Sequence, residues 1–302
     1  MFHPSPFGIS PFDDPSVAPQ PPAVHPGAPG GVPAWSIADE RAFCGHMPSL
    51  FLASDLFAAT YLRAGRHCLR PVTPLALSAA VTCEGPWLDQ GDLDAYLACV
   101  LLALHQGVRT PRLRCPADEP ARLAGLGGRA GAARFTARLH RLHEARVACR
   151  DGRFSARMQL LSAVVRDEAS ATLRIEFGPE PFEALRSAPG AARFIADRAA
   201  LGRDGLGKWL LGVAWTLRET CLIDPHRLQS MVPKGKGRDI LPLLQEFARR
   251  GYIRDMVTRS DGLVIVQPVH RPGGLRAAGG DASTAACGRG GADAPPVCRL
   301  LT

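Results

Sequence analysis

Basic residues cluster in the segment PKGKGRD, where a phosphate-binding surface would need them. Lys234, Lys236 and Arg238 alternate with glycines directly before an amphipathic stretch that begins at Asp239. A helix N-terminus exposes unpaired backbone N–H groups and the positive end of the helix dipole, so cations beside it favour phosphate oxygens. The segment therefore predicts contact with a polyanion, and the alternative is a solvated basic loop.

Three helices are predicted around this cluster, between residues 201 and 268. Apolar residues spaced by three and four predict a first helix capped by Asp204, and Pro225 opens a short second helix. A third helix, capped by Asp239, carries its own apolar stripe and ends at Gly251.

Two strands follow the third helix, at 252–258 and 263–267, and a Ser-Asp-Gly turn joins them. Helix, helix, turn, helix and hairpin is the layout of a winged helix, a variant of the DNA-binding helix-turn-helix. Arg249 near the helix end, and Arg254 and Arg259 on the hairpin, lie where such a domain contacts DNA. The last helix is expected to be the main base-contacting element.

The first half of the folded chain repeats this order with little shared sequence. After a helix at 49–63 and a strand at 75–83, a helix runs from Asp89 or Gly91 to Gly107. The remaining predicted elements are a short helix at 116–126, a glycine-rich turn at 127–131, a helix at 132–144, and strands at 147–149, 154–165 and 171–177. The repetition predicts a second winged helix in tandem with the first.

Four arginines lie along the third helix of this first half, namely Arg129, Arg134, Arg138 and Arg141. Spacings of three and four place the last three on one helix face. A helix this basic repels itself unless something neutralises it, which favours phosphate contact. The alternative is a solvated outer face.

Charge and composition set the class of protein. The chain has 302 residues, a formal net charge of +8 and a pI near 9.3. Residues 1–41 carry a net −3 and residues 269–302 a net +2, so the remaining +9 lies between them. This favours a polyanionic partner, and the alternative is high arginine usage in a GC-rich genome.

The chain carries no sign of export or of a membrane span. Its nine cysteines form no CxxC pair, so we expect a reduced, cytoplasmic protein. The first residues have neither a positive region nor a long apolar run, so we expect no signal peptide. No stretch approaches the roughly 20 apolar residues that a membrane helix needs.

Motifs for catalysis or cofactors are missing from the sequence. His140 and His143 are three residues apart but have no second ligand pair, so we expect no metal site. A Walker A motif and a dinucleotide-binding glycine motif are both absent, so we expect no cofactor and no enzyme. The acidic group of Asp89, Asp92 and Asp94 is better explained by helix capping than by catalysis.

Three blocks of the sequence resemble one known family. They are SDLFAA at 54–59, LDQGDLDAYLACVLLA at 88–103 and LGRDGLGKWLLG at 201–212. In order and spacing these blocks are similar to those of plasmid replication initiators of the TrfA type. The resemblance covers residues 49–268.

The resemblance implies a non-enzymatic protein that binds direct repeats (iterons) in double-stranded DNA at a plasmid origin. Such a protein opens neighbouring AT-rich DNA and brings in the host helicase, with the host initiator and sliding clamp as further candidates. A homodimer is left open. The alternatives are a winged-helix transcriptional repressor and a protein-interaction module that binds no DNA.

The first block also resembles the core of peptides that bind the bacterial sliding clamp. Such peptides insert a Leu-Phe pair, here Leu56 and Phe57, into an apolar pocket. The alternative is that both are ordinary core residues.

The sequence therefore predicts an α+β protein with two tandem winged-helix domains and disordered ends. The predicted divisions are a Pro/Gly-rich tail at 1–41, a first winged-helix domain with an N-terminal extension at 42–187, a second at 188–268, and a Gly/Ala-rich tail at 269–302.

Overall fold

The described part of the chain comes from a computed structural model. It covers residues 48–62, 67–75, 79–151, 154–217, 221–232, 239–268 and 298–299. All of these residues belong to one compact unit, Ala38–Thr302. The predicted boundary between residues 187 and 188 stays a prediction.

The described chain opens with a short helix, α1, at residues 48–52, so the prediction of a helix over 49–63 is wrong beyond its first turn. The Ser54 hydroxyl donates to the Leu50 carbonyl at 2.5 Å and accepts from the Leu56 N–H at 3.1 Å. A serine that bonds to local backbone competes with the helical pattern, so the chain turns out of the helix here. The strands that follow are β1 (Phe57–Ala58), β2 (His67–Val72), β3 (Ala80–Pro86) and β4 (Leu88–Asp89).

The first repeat is the set of elements between residues 90 and 177. Its helices are α2 (Gln90–His105), α3 (Glu119–Leu123) and α4 (Gly128–Glu144). Its strands are β5 (Arg112–Pro116), β8 (Leu161–Asp167) and β9 (Thr172–Phe177), and a hairpin of β6 (Arg146–Asp151) and β7 (Phe154–Gln159) is inserted after α4.

The predicted strand over 154–165 is in fact two strands that belong to different sheets. The strand pattern is interrupted at Leu160, where the chain bends from β7 into β8. Beside this bend, a Cβ added to Gly178 would lie 1.8 Å from the Gln159 carbonyl oxygen. This close backbone approach leaves no room for a side chain at position 178, so glycine is required there. The predicted turn at 127–131 is also wrong from Gly128 onward, where α4 already begins.

The second repeat lies between residues 205 and 268, after two connecting helices, α5 (Pro179–Arg186) and α6 (Ala191–Ala200). Its helices are α7 (Gly205–Thr216), α8 (Pro225–Ser230) and α9 (Ile240–Arg249). Its strands are β10 (Cys221–Ile223), β11 (Ile253–Thr258) and β12 (Val264–Pro268), and β13 (Cys298–Arg299) adds a parallel edge strand.

Both repeats follow the order helix, strand, helix, helix, strand, strand. The first forms an antiparallel sheet in the order β5-β9-β8, and the second forms β11-β12-β10. In each case the last strand lies between the other two. The inserted hairpin joins a separate sheet, β2-β3-β6-β7, and β1 pairs with β4. The prediction of a mixed helix and sheet protein is confirmed.

One apolar core runs through both repeats. The predicted stripes of α2, α4 and α9 are buried, as expected from their three- and four-residue spacing. The Phe177 ring stands edge-on to Tyr96, with centroids 5.8 Å apart, and stacks on Phe182 at 4.6 Å. These rings fix α2 against β9 and α5.

Candidate nucleic-acid interface

The basic turn that motivates DNA binding lies outside the described residues, so Lys234, Lys236 and Arg238 keep their roles as predictions. The helix that follows begins as expected. Asp239 occupies the N-cap position of α9, but its side chain makes no capping hydrogen bond. The Ile240 N–H donates to the Gln229 Oε1 at 3.1 Å instead, which ties α9 to α8.

The described end of the second repeat presents several polar side chains to solvent. Gln245 and Arg249 are exposed on α9, and Arg254 is exposed on β11. Arg259 on the hairpin turn is paired with Asp261 at 3.0 Å. Gln245 is a candidate that sequence reasoning missed, because its position on the outer face becomes clear only once α9 is packed.

The predicted arginines of α4, the third helix of the first repeat, differ in how far they are exposed. Arg129 and Arg134 are exposed, together with Ala133, Ala137 and His140. The small alanine side chains barely extend from this face, whereas the arginine and histidine side chains project from it. A helix with this face can approach a duplex closely.

Arg138 and Arg141 leave the same side of α4 as Arg134, but their guanidinium groups reach the start of α2. Arg141 donates from Nε and Nη2 to the Asp92 Oδ1 at 3.1 and 2.5 Å. A Cβ added to Gly91 would lie 2.1 Å from an Arg138 guanidinium nitrogen, so that guanidinium lies directly over the glycine. The three arginines Arg134, Arg138 and Arg141 share one side of α4, as their spacing predicts, but Asp92 holds Arg141, so the alternative of a fully solvated outer face does not apply to it.

Two of the three acids at the start of α2 form the predicted cap. The Asp89 carboxylate accepts from the Gly91 and Asp92 N–H groups at 2.8 and 3.0 Å, and the Asp92 carboxylate accepts from the Asp89 N–H at 2.9 Å. This reciprocal pattern is a capping box. Burial, followed by repulsion from Asp89, raises the pKa of Asp92 to about 6, although Arg141 opposes the shift.

The third acid, Asp94, does not cap the helix but holds two buried cations. Arg198 Nε donates to one of its carboxylate oxygens at 2.8 Å, and Lys208 Nζ donates to the other at 2.7 Å. Arg198 is only 1% exposed. Burial lowers the pKa of both the Arg198 and the Lys208 side chains, and the Asp94 charge opposes that effect. The network joins α2 to α6 and α7.

Gln90 extends this network to the chain before α2. Arg198 donates to its side-chain oxygen at 2.8 Å, and its own amide donates to the Phe57 carbonyl at 2.9 Å. The Trp209 indole N–H donates to the Ser54 carbonyl at 2.8 Å. The three blocks of the family resemblance, 54–59, 88–103 and 201–212, therefore meet at one junction inside the protein, where their role is to join the repeats.

The Leu-Phe pair proposed for clamp binding lies in the core. Leu56 is 0% and Phe57 1% exposed. A pocket on another protein has no access to either side chain in this fold, so the burial favours the alternative of core residues. Clamp binding stays a prediction and is not carried forward.

Three exposed arginines of the inserted hairpin escaped the sequence prediction. Arg146 and Arg150 lie on β6, and Arg157 lies on β7. Alternation with the buried Val147 and Cys149 could have placed the first two on an outer strand face. That signal was passed over because a strand was expected only at 147–149.

Two general properties of the described residues bear on other kinds of site. Among them, no three His, Cys, Asp or Glu side chains are grouped so as to hold a metal ion. None of the described helices is both long and apolar enough to cross a membrane.

Comparison with known proteins yields structural likenesses alone. No protein-family model and no curated protein sequence matches the chain. A selenomethionine derivative of domains 2 and 3 of RctB is similar, with a TM-score of 0.45 at 11% identity, covering 75% of this chain and 99% of that chain. A second structure of RctB domains 2–3 has a TM-score of 0.44 at 12% identity, covering 70% of this chain and 94% of that chain.

Proposed function

We propose that this protein is a sequence-specific binder of double-stranded DNA that acts as a replication initiator, built on two tandem winged helices. The observation that carries the proposal is the repeated order of helix, strand, helix, helix, strand, strand, with the last strand central in both sheets. A helix-turn-helix reads DNA with its later helix in the major groove. In this chain α4 and α9 occupy that place.

The exposed face of α4 has the chemistry that duplex binding needs. Arg129 and Arg134 can contact phosphates or guanine edges, and the Ala133 and Ala137 methyl groups can pack on thymine methyls. On α9, the exposed Gln245 would bind adenine in a bidentate manner, and the exposed Arg249 would contact phosphate. The basic turn at 233–238, predicted from the sequence, would add cations at the N-terminus of α9.

Initiation, as distinct from DNA binding alone, is inferred from the resemblance to initiators of the TrfA type. The blocks that carry it meet at the junction of the repeats, where they would set the spacing and angle of the two DNA-contacting helices. Tandem winged helices in one chain would cover two adjacent parts of a repeat without a partner chain. We further propose that the protein is not an enzyme.

The test is DNA binding at two salt concentrations, on a duplex containing the repeat region beside the gene and on a scrambled duplex of equal length. Binding that prefers the repeats and survives moderate salt is expected. Equal, weak binding to both duplexes, lost as salt rises, would refute sequence specificity, because non-specific binding is almost wholly electrostatic.

A second experiment separates initiation from repression. A plasmid that carries the repeat region and lacks its own initiator is introduced with the wild-type gene. We expect that plasmid to replicate. If the protein binds the repeats but the plasmid does not replicate, an initiator role is excluded. In the matched control, the same plasmid is introduced with the gene for the Arg129→Ala, Arg134→Ala variant in place of the wild-type gene.

A further inference from the structure

We propose that the inserted β6–β7 hairpin carries a second DNA contact surface, which grips phosphates of the duplex bound by α4. This inference rests on the proposed DNA binding and extends it to residues that no helix-turn-helix argument would select. The surface, here called the arginine face, consists of Arg146, Arg150 and Arg157.

Strand register places the three arginines around Ala148, a small side chain on the same face of the sheet. Ala148 pairs with Arg157, and Arg150 pairs with Ser155. Arg146 and Arg150 are four residues apart on one strand, roughly 13 Å, with Arg157 beside the midpoint. The opposite side of the hairpin is buried through residues such as Val147, Cys149 and Met158. The arginines therefore all project from the solvent side.

The floor between them is made of small side chains. Thr82 on β3 pairs with Ala148, and Ala80 pairs with Arg150. A flat floor allows a nucleic-acid backbone to come close, while arginines at its edges supply donors in a fork that fits phosphate. No described aromatic side chain occupies this face, so it offers phosphate contact without the base stacking that single strands use.

These charges are not neutralised within the described protein. Some other exposed arginines are paired, such as Arg112 with Glu176 at 3.2 Å and Arg166 with Glu168 at 3.1 Å. Among the described side chains, no carboxylate lies within 4.0 Å of a guanidinium nitrogen of the arginine face.

Two acidic residues lie near the arginine face, and Glu84, directly opposite Arg146, offsets part of its charge. Glu84 is the register neighbour of Arg146, and Glu144 is held by His67 at 2.9 Å. Like charges on neighbouring strand positions repel, which favours an anion between them. The face therefore keeps its attraction for a polyanion.

The hairpin is held against the end of α4, which argues for DNA as the polyanion. β6 begins at Arg146, two residues after α4 ends at Glu144. Gly85 on β3, at a φ of +128°, approaches so closely that an added Cβ would lie 2.9 Å from the Glu144 carbonyl oxygen. The sheet is thereby docked on the C-terminal end of α4, and the proposal is that a duplex lying along that helix also reaches the arginine face.

The test compares salt slopes of duplex binding for a triple variant and two matched controls. Each lost phosphate contact flattens the slope of log K against log salt by about 0.9. The triple variant Arg146→Ala, Arg150→Ala, Arg157→Ala is expected to flatten it by about 2 to 3. The variant Arg109→Ala, Arg193→Ala, Arg203→Ala removes the same charge from other exposed positions and is expected to change the slope by less than about 1.

A triple variant with lysine at the same three positions controls for a structural effect of the substitutions, because lysine keeps the positive charge as a point contact. It is expected to keep most of the wild-type slope. A wild-type slope in the alanine triple overturns the proposal, and so does an equal loss in the lysine and alanine variants. If the wild type binds no DNA at all, the proposed function has failed; if only the Arg129→Ala, Arg134→Ala variant loses slope, the arginine face alone has failed.

Discussion

The two repeats share one order of elements but place their charged side chains differently. In the first, α2 begins with buried acids, and Arg141 of α4 turns inward to meet Asp92. In the second, Arg249 of α9 faces solvent, and Arg250 forms a surface pair with Glu246. A shared topology therefore does not determine which side chains of the third helix are free to contact a partner.

The outer faces of the two repeat sheets, β5-β9-β8 and β11-β12-β10-β13, differ in the same way. In the first repeat, Arg114 and Arg174 lie opposite each other on β5 and β9. The matching positions of the second repeat are Leu222 and Ile265, which are half-buried and apolar, and Val257 beside them is 52% exposed. The first repeat thus offers a cationic outer face and the second an apolar one. The two repeats therefore carry different kinds of surface on the same order of elements.

The buried junction is the feature that both repeats need, so breaking it should have the largest effect. Asp94→Ala leaves Arg198 and Lys208 buried without their carboxylate, and we expect a loss of about 3–5 kcal/mol in the free energy of unfolding. Urea unfolding measures this. The control Asp197→Ala removes a surface acid 3.7 Å from Arg193 and should cost less than about 1 kcal/mol. A loss in Asp94→Ala no larger than in the control would contradict a joining role.

The buried capping box of Asp89 and Asp92 lies in the first repeat, and we expect it to make the stability of the protein depend on pH. The folded pKa of Asp92, about 6, lies above the ordinary value of 3.8. The folded state therefore binds this proton more tightly, so the stabilising contribution is full below pH of about 4 and is lost as the pH rises through about 6. The total is on the order of 3 kcal/mol.

The variant Asp92→Asn removes that titration. The difference in unfolding free energy between wild type and variant, measured in urea from pH 4 to pH 7, should change by about 2 kcal/mol. The exposed Asp118→Asn serves as control and should give a nearly flat difference. If the difference between wild type and Asp92→Asn is also flat across this pH range, the pKa of the Asp92 carboxyl is not raised in the folded state.

Paired variants on the third helices should sharpen the comparison at the DNA surface. In the second repeat, Gln245→Ala is expected to cost about 1–3 kcal/mol of discrimination between repeat and scrambled duplexes. In the first repeat, Arg129→Ala with Arg134→Ala should weaken both duplexes and flatten the salt slope by about 0.9 for each lost phosphate contact. Removing Lys236 and Arg238 should act on the slope in the same way. Titrations at several salt concentrations measure both effects, and an unchanged discrimination in Gln245→Ala would exclude α9 as the base-contacting helix.

Helix positions were largely predictable because helix signals are local. Asp89 and Gly107 bracket α2, and Gly251 ends α9 at a φ of +72°. Apolar spacing identified the buried stripes for the same reason. Helices α5 and α6 were not predicted. Strands β2, β5 and β10 were missed because each is short, and such strands are stabilised by partners far along the chain.

The candidate interface was only partly predictable. The sequence indicated a basic third helix in the first repeat, but helical spacing alone could not say which arginines face inward. Arg141 turns toward Asp92, which is 49 residues away in the sequence. The arginine face likewise depends on which sheet the hairpin joins, and that follows from pairing of β6 with β3.

The sequence by itself determined the mixed helix and sheet class, the order of the main helices, the apolar stripes and the excess of positive charge. These properties follow from spacing and composition, which act within a few residues. Only the tertiary structure decided the central position of the last strand in both sheets, the inward turn of Arg141 and the junction where Asp94 meets Lys208, 114 residues away. Such contacts follow from packing and desolvation across the whole fold, because a charge buried far from water must find its partner wherever the chain brings one.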